Sequence, residues 1–439
     1  MSKLTVYQGT ALSVGAVLGT GVISMPALAA AVAGPASLVA WLALILLSAP
    51  LAWTFAALGA RHPDGGGVST YVRLAFGPHA AGAVGWCFYF AVPLGAPAAA
   101  AFAGGYVADV MGGGRTTVRA TFLGILALVF VMNWFGLRVS GRIQLLLTGT
   151  LAALLLVTVI SALPQARLAN LSPFAPHGWA GVGAAAAVLV WGFAGWEAVS
   201  SLSGEYRDPR RDVPRATAVA VAVVGALYLA VAATSVLVLG PVLGDRPAPL
   251  ADLLAAGVGG PVRAVTAVVA VLLTVGAVNA YLAGASRLGV ALARDGALPL
   301  FHTQRRSLSF VAVAAVGSAL LPLPLHTSML LVTGCFTLVY VLGTAAALRL
   351  LPAGWSRRGA AVAFAAVIGL LWLTGWPALL SLGFAGGAIA YQRLVRRGAP
   401  AQRPDPRRSA AAKTARPASI RSASIAPNPN TKPACVAEG

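Results

Sequence analysis

The chain has 439 residues, 58% of them hydrophobic and only 10% charged, whereas a water-soluble domain carries about 25% charged residues. A soluble globule is excluded, and so is a β-barrel: the apolar runs are continuous for roughly 18–25 residues, the length that spans the hydrocarbon, instead of alternating with polar positions. The net charge of +20 calls for no nucleic acid, because its distribution along the chain accounts for it.

The expected fold is an all-α polytopic membrane protein with about 12 transmembrane helices. The spans fall at 8–33, 36–60, 80–111, 119–136, 142–163, 181–203, 214–240, 262–293, 308–323, 328–350, 359–374 and 376–392. The first run is too long for a cleavable signal peptide and begins behind a single lysine, Lys3. With the N-terminus inside, sixteen of the 31 Lys and Arg fall on cytoplasmic loops and helix ends before residue 393 and five on the opposite face; the other ten follow from Arg393. This is the positive-inside bias, and it places both termini in the cytoplasm. Residues 1–392 form the transmembrane domain. Residues 393–439, rich in Arg, Ala, Pro and Ser, read as a disordered basic tail that either contacts anionic lipid or only solubilises.

In the first span, LGTGVISMP at 18–26 places two glycines and a proline where a helix should be continuous. In the sixth, WGFAGWEAVS at 191–200 repeats the interruption with Gly192 and Gly195, followed by Glu197. Helix one runs outward and helix six inward, so the two are equivalent members of two five-helix units of opposite topology. Glycine-interrupted segments at matching places in inverted halves point to a transporter's binding site. Unwinding frees N–H groups at a positive dipole end, which suit a carboxylate, and C=O groups, which suit an ammonium. An α-amino acid carries both. The alternative is close helix packing at small residues.

A charged side chain at membrane depth costs roughly 2.5–3.5 kcal/mol on insertion scales, which makes Glu197 a functional candidate suited to a proton-coupled step. The alternative is a neutral carboxyl bonded to a neighbouring carbonyl. Trp191 is either a cap on the site or a packing tryptophan. Tyr89 with Pro93, and Asn279 with Tyr281, either line a cavity or belong to the core. The five histidines lie in loops or at span ends, and the cysteines (Cys87, Cys335, Cys435) are scattered, so neither a metal site nor a cofactor is expected.

Four stretches carry a resemblance. LGTGVISMPALAA at 18–30 is similar to the first-helix signature G-[ST]-G-[VI]-x-x-x-P of the amino acid–polyamine–organocation (APC) superfamily, and WGFAGWEA at 191–198 to its sixth-helix F-x-G-x-E motif. GEYRDPRRDVPRA at 204–216 and HPDGGGVSTYVRLAFGP at 62–78 resemble two of its loops. Within the superfamily the first helix looks most like the bacterial amino-acid efflux branch, which includes a methionine and branched-chain amino-acid exporter. The resemblance implies a 5+5 inverted repeat (LeuT-like) with broken helices 1 and 6. It implies that Gly19, Thr20 and Gly21 bind the substrate carboxylate. Phe193, Ala194 and Gly195 would offer carbonyls to the ammonium, with Trp191 as gate and Glu197 sensing protons. The fifth helix, at 143–160, has no lysine or arginine, so the lysine mechanism of certain relatives does not apply. In the loop at 204–216, Glu205, Asp208 and Asp212 among four arginines form either a cytoplasmic latch or ordinary surface ion pairs.

The expected function is secondary active transport by alternating access: proton-coupled efflux, as an antiporter, of neutral apolar amino acids (Met, Leu, Ile, Val). Val17, Val22, Ile23 and Phe193 supply the apolar lining. The alternatives are an uptake permease or exchanger of the same fold and, from another class, a non-transporting amino-acid sensor. No nucleophile–base or metal constellation lies in the spans, so an enzyme is not expected. The partners are the amino acid, the proton and the lipid bilayer.

Overall fold

The structure, a computed structural model, describes residues 4–19, 21–63, 67–136, 141–197, 203–259, 262–299, 301, 303–321 and 324–398. Residues up to Leu394 form one compact unit; the expected tail beyond Gly398 lies outside the described residues, as does Cys435.

The described residues contain fifteen α-helices: α1 Val6–Leu18, α2 Met25–Ala33, α3 Ser37–Arg61, α4 Val68–Phe76, α5 Pro78–Met111, α6 Arg115–Trp134, α7 Gly141–Ala162, α8 Ala180–Phe193, α9 Pro209–Leu239, α10 Pro249–Val258, α11 Val262–Arg294, α12 Gln304–Leu320, α13 Leu325–Leu350, α14 Trp355–Thr374 and α15 Ala378–Gly398. All twelve expected spans carry helix. Among the described residues, nine stretches are long and apolar enough to cross a membrane, and α1, α8 and α10 are shorter apolar helices. Two of those short helices are the interrupted spans, since an uninterrupted run at 8–33 or 181–203 would have joined the longer class.

Helix starts follow from sequence. Thr5 caps α1 in a capping box: its side chain accepts from the Gln8 amide, and Gln8 Oε1 accepts from the Thr5 amide at 3.1 Å. Asp208 caps α9 by accepting from the Arg210 amide at 3.1 Å, with Pro209 at the first helical position. Asp212 accepts from the Asp208 amide. Among the described residues the acids of the 204–216 loop form no ion pair with its arginines. In this conformation neither the latch nor the alternative surface ion pairs are formed within the loop, and Asp208 and Asp212 accept from backbone amides instead. The loop is fastened differently: the Leu4 amide donates to the Glu205 carbonyl at 2.8 Å, beside a parallel bridge from Leu4 to Tyr206.

Two segments expected to be loops are helical. Helix α4 buries Tyr71 and Val72, and α10 buries Leu250 to Leu254. Neither is long enough to span, which is why hydropathy alone passes over them.

The apolar core has two large clusters and a small third one of Ala27, Ala30, Val236 and Leu243. One large cluster joins residues of α1, α2, α3, α8, α9 and α13 with part of α5, while the other joins α5, α6, α11 and α12; Trp191 packs against both large clusters. Helix α5 contains Pro93 and Pro97. Pro97 has no N–H for the carbonyl four residues earlier, that of Pro93. Ser318 Oγ of α12 donates to that carbonyl at 2.7 Å, so a neighbouring helix supplies the partner that lipid could not. Ser318→Ala should lower stability by roughly 0.6–1.7 kcal/mol, the range for such bonds in membrane proteins, read as a lower unfolding midpoint in detergent. An unchanged midpoint would show that the carbonyl does not need this donor.

Candidate functional site

The first break runs from Gly19, where α1 ends at φ 21° and ψ −158°, to Met25, where α2 starts. The Gly21 carbonyl accepts from the Ser24 and Met25 amides, which sets the new helical turn in front of Pro26. The second break comes after Phe193: Gly195 has φ 129°, and helical geometry resumes at Trp196 and Glu197. An L side chain rarely adopts that φ, so only glycine fits without strain.

The breaks lie against each other. A Cβ added to Gly195 would stand 2.6 Å from the Ala16 carbonyl oxygen, and one added to Gly21 would stand 3.2 Å from Gly192 Cα. Glycine is required here for close approach of two backbones as well as for conformation.

Three buried tyrosine hydroxyls hold the breaks. Tyr228 Oη of α9 lies 2.8 Å from the Val17 carbonyl and 2.6 Å from the Gly192 carbonyl, so its one proton serves the two breaks in turn. Tyr106 Oη of α5 donates to the Ile23 carbonyl at 2.6 Å and accepts from the Leu250 amide of α10 at 3.1 Å. Tyr340 Oη of α13 donates to Glu197 Oε2 and accepts from the Gly195 amide at 3.2 Å. Glu197 Oε2 also accepts from the Gly195 amide at 2.9 Å. The carboxyl thus closes back on the break in its own segment and ties it to α13.

Between the breaks, α7 and α11 is a cavity of about 260 Å³. Gly19, Gly195 and Glu197 line it, with Leu147, Thr148 and Leu151 of α7 and Leu273, Gly276 and Tyr281 of α11 among the rest. Drug-sized ligands occupy pockets of about 300–1,000 Å³, so this one suits a smaller solute. Its wall offers one carboxyl, one phenol, one hydroxyl and otherwise small or apolar groups. A second cavity of about 20 Å³ lies beyond Tyr281, lined by Trp191, Ala194 and residues of α5 and α13. That volume has room for a water molecule and little more. The Trp191 ring stands across this region, within 3.3 Å of Cβ positions built on both Gly21 and Gly95.

The expected site residues therefore separate. Gly19, Gly195 and Glu197 border the larger cavity, and Trp191 and Ala194 the smaller. Gly21 packs on Gly192. Thr20 lies outside the described residues. Val17, Val22 and Ile23 are 1–2% exposed and border neither cavity. Phe193 points elsewhere, with ring centroids 6.0 Å from Trp41 and 5.1 Å from Tyr228. In this conformation the apolar wall comes from Leu147, Leu151 and Leu273 instead. Of the undecided pairs, Tyr281 is on the lining. Asn279 accepts from Asn133 at 2.8 Å, and Tyr89 meets Ser307 at 3.1 Å within the second core. Sequence reasoning missed Tyr106, Tyr228, Tyr340 and Thr148. The available signal was a phenol far from a span's ends, whose hydroxyl must find a partner inside the protein. Among the described residues no group of three His, Cys, Asp or Glu is placed to hold a metal.

A sequence profile of the family described as amino acid permease matches residues 4–384. The chain is 32% identical over 407 residues to the Bacillus subtilis (strain 168) protein named "Uncharacterized amino acid permease YecA", covering 89% of this chain and 95% of that one. It is also 32% identical over 403 residues to the Escherichia coli (strain K12) protein named "L-methionine/branched-chain amino acid exporter YjeH", with 88% and 94% covered. Similarity to "Branched-chain amino acid permease BcaP" of Bacillus subtilis (strain 168) is 27% over 318 residues, covering 68% of each chain.

Proposed function

Because the chain belongs to the amino acid permease family, a family of multi-pass membrane transporters, we propose that it exports neutral apolar amino acids by alternating access, in exchange for protons. The observation that carries this reading is the pair of glycine breaks packed backbone to backbone beside a small cavity with a single carboxyl on its wall. The helix ends at a break offer amide and carbonyl groups to a zwitterion's two charges. Leu147, Leu151 and Leu273 favour an aliphatic or thioether side chain over a charged one, because a cationic substrate would need a second acid. Gly19, Thr20 and Gly21 receive the carboxylate; Phe193, Ala194 and Gly195 the ammonium. Val17, Val22 and Ile23 reach the substrate only in another conformation of the cycle. Glu197 exchanges the proton, and Trp191, wedged between the two cores, gates the site. Both termini lie on the cytoplasmic side. The named specificity of the Escherichia coli relative supports the substrate class.

Counterflow in proteoliposomes tests the proposal: labelled methionine, leucine, isoleucine and valine are expected to exchange, and arginine and putrescine are not. Exchange of arginine or putrescine with none of methionine or leucine would overturn the substrate assignment. Uptake is the second reading, favoured by similarity to a protein named a branched-chain amino acid permease. Direction is decided in cells with and without the gene: export lowers internal methionine under load, uptake raises it.

A further inference from the structure

Away from the cavity, α3 ends at Arg61, α9 begins at Pro209 and α14 begins at Trp355. Where these ends meet, a groove of about 520 Å³ opens, with Trp53 and Arg61 of α3, Arg210 and Pro214 of α9 and Ser356 of α14 on its walls. Among the described residues, neither Arg61 nor Arg210 has a carboxylate within ion-pairing distance. The acids nearest to Arg210 in sequence are committed elsewhere, Asp208 to the Arg210 amide and Asp212 to the Asp208 amide. Among the described residues, two guanidinium groups thus share one concavity with no carboxylate paired to either, and a guanidinium fork matches the oxygens of a phosphate.

The other half of the groove is apolar. The Trp53 indole is 41% exposed and lies 4.0 Å from the Cβ position of Gly359 on α14. It ends an exposed stripe along α3 formed by Val39, Leu42, Leu46 and Trp53, whose helical spacing puts them on one face. In a membrane protein that face meets acyl chains, and a tryptophan at its end sits at headgroup depth. The groove therefore offers an anion site at one end and an apolar track leading from the other.

We propose that this groove is a binding site for an anionic phospholipid, with Arg61 and Arg210 holding the phosphate of the headgroup and an acyl chain lying along the α3 stripe past Trp53. A free phosphate would use only the two arginines and leave the apolar wall idle, which is why the lipid is the occupant.

The test is native mass spectrometry of the full-length protein released from nanodiscs of phosphatidylglycerol mixed with phosphatidylcholine. The wild type is expected to retain phosphatidylglycerol selectively, and Arg61→Gln/Arg210→Gln to retain it about thirtyfold less, as two lost charge contacts imply. The comparator is Arg287→Gln/Arg294→Gln, which removes the same net charge on α11 and is expected to keep wild-type retention. Equal retention in the groove variant and the wild type overturns the proposal, as does equal loss in both double variants. Displacement of phosphatidylglycerol by inorganic phosphate, with unaltered retention in Trp53→Ala, assigns the groove to free phosphate and overturns the lipid assignment. If the glutamine pair does not survive purification, Arg61→Lys/Arg210→Lys keeps the charge but loses the fork. It should retain less lipid than wild type, and undiminished retention counts against the site.

Discussion

Gly195→Ala is expected to stop transport. At φ 129° an L residue is strained, and its Cβ would sit 2.6 Å from the Ala16 oxygen, 2.9 Å from the Ala16 carbonyl carbon and 3.2 Å from Val17 Cα. All three are backbone atoms, so no rotamer change relieves the clash. Either the segment abandons its conformation or α1 moves away from it. Strain of this kind costs roughly 1–3 kcal/mol, and a loss of about thirtyfold in the initial rate of methionine counterflow corresponds to the middle of that range. Gly192→Ala provides the comparison. Its Cβ would meet nothing nearer than 3.6 Å, the distance to Met25 Cγ, so it should keep nearly the wild-type rate. Wild-type counterflow by the Gly195 variant would mean that close approach of the two breaks is dispensable.

Glu197→Gln is expected to give transport that no longer responds to pH, in protein that remains folded. The glutamine carbonyl oxygen can still accept from the Gly195 amide and from Tyr340 Oη, the two donors that meet Glu197 Oε2, so the local geometry survives while the exchangeable proton is lost. Initial rates measured at an acidic and an alkaline pH decide it: a variant that keeps the wild-type profile is not missing the proton site. Tyr340→Phe separates the carboxyl from its setting, because it removes one donor while keeping the ring beside Phe55, at a centroid distance of 5.6 Å. It should displace the pH profile with little change in the KM for methionine. The groups with a titratable side chain facing Glu197 from neighbouring helices are Tyr340 on α13 and Tyr281 on α11, so few other sources of pH dependence compete.

The two breaks were legible because glycine and proline inside an apolar run contradict a continuous helix, and nothing else in the chain makes that contradiction twice at matching places. The spans were legible for the same reason that hydropathy works in lipid: every backbone group must be paired within a helix. The rotation of each helix was not legible. A helix apolar on all sides carries no phase signal, so the sequence could not tell that Val22 and Ile23 face inward to the core while Leu147 and Leu273 border the cavity. Tyr106, Tyr228 and Tyr340 were hidden for a related reason. Each acts on a carbonyl or carboxyl far away in sequence, and only the fold reveals which helix stands opposite. The short helices α4 and α10 escaped because they are too brief to register as spans.

The bond from Ser318 to the Pro93 carbonyl constrains how this protein can change over generations. While Pro97 is present, loss of Ser318 strands an acceptor inside the membrane, so that step is penalised. If Pro97 first gives way to a residue with an N–H, the helix serves its own carbonyl and Ser318 becomes free to vary. The two positions form an ordered path: the proline must go before the serine, and the same serine substitution is harmful or neutral according to what already stands at residue 97 on another helix.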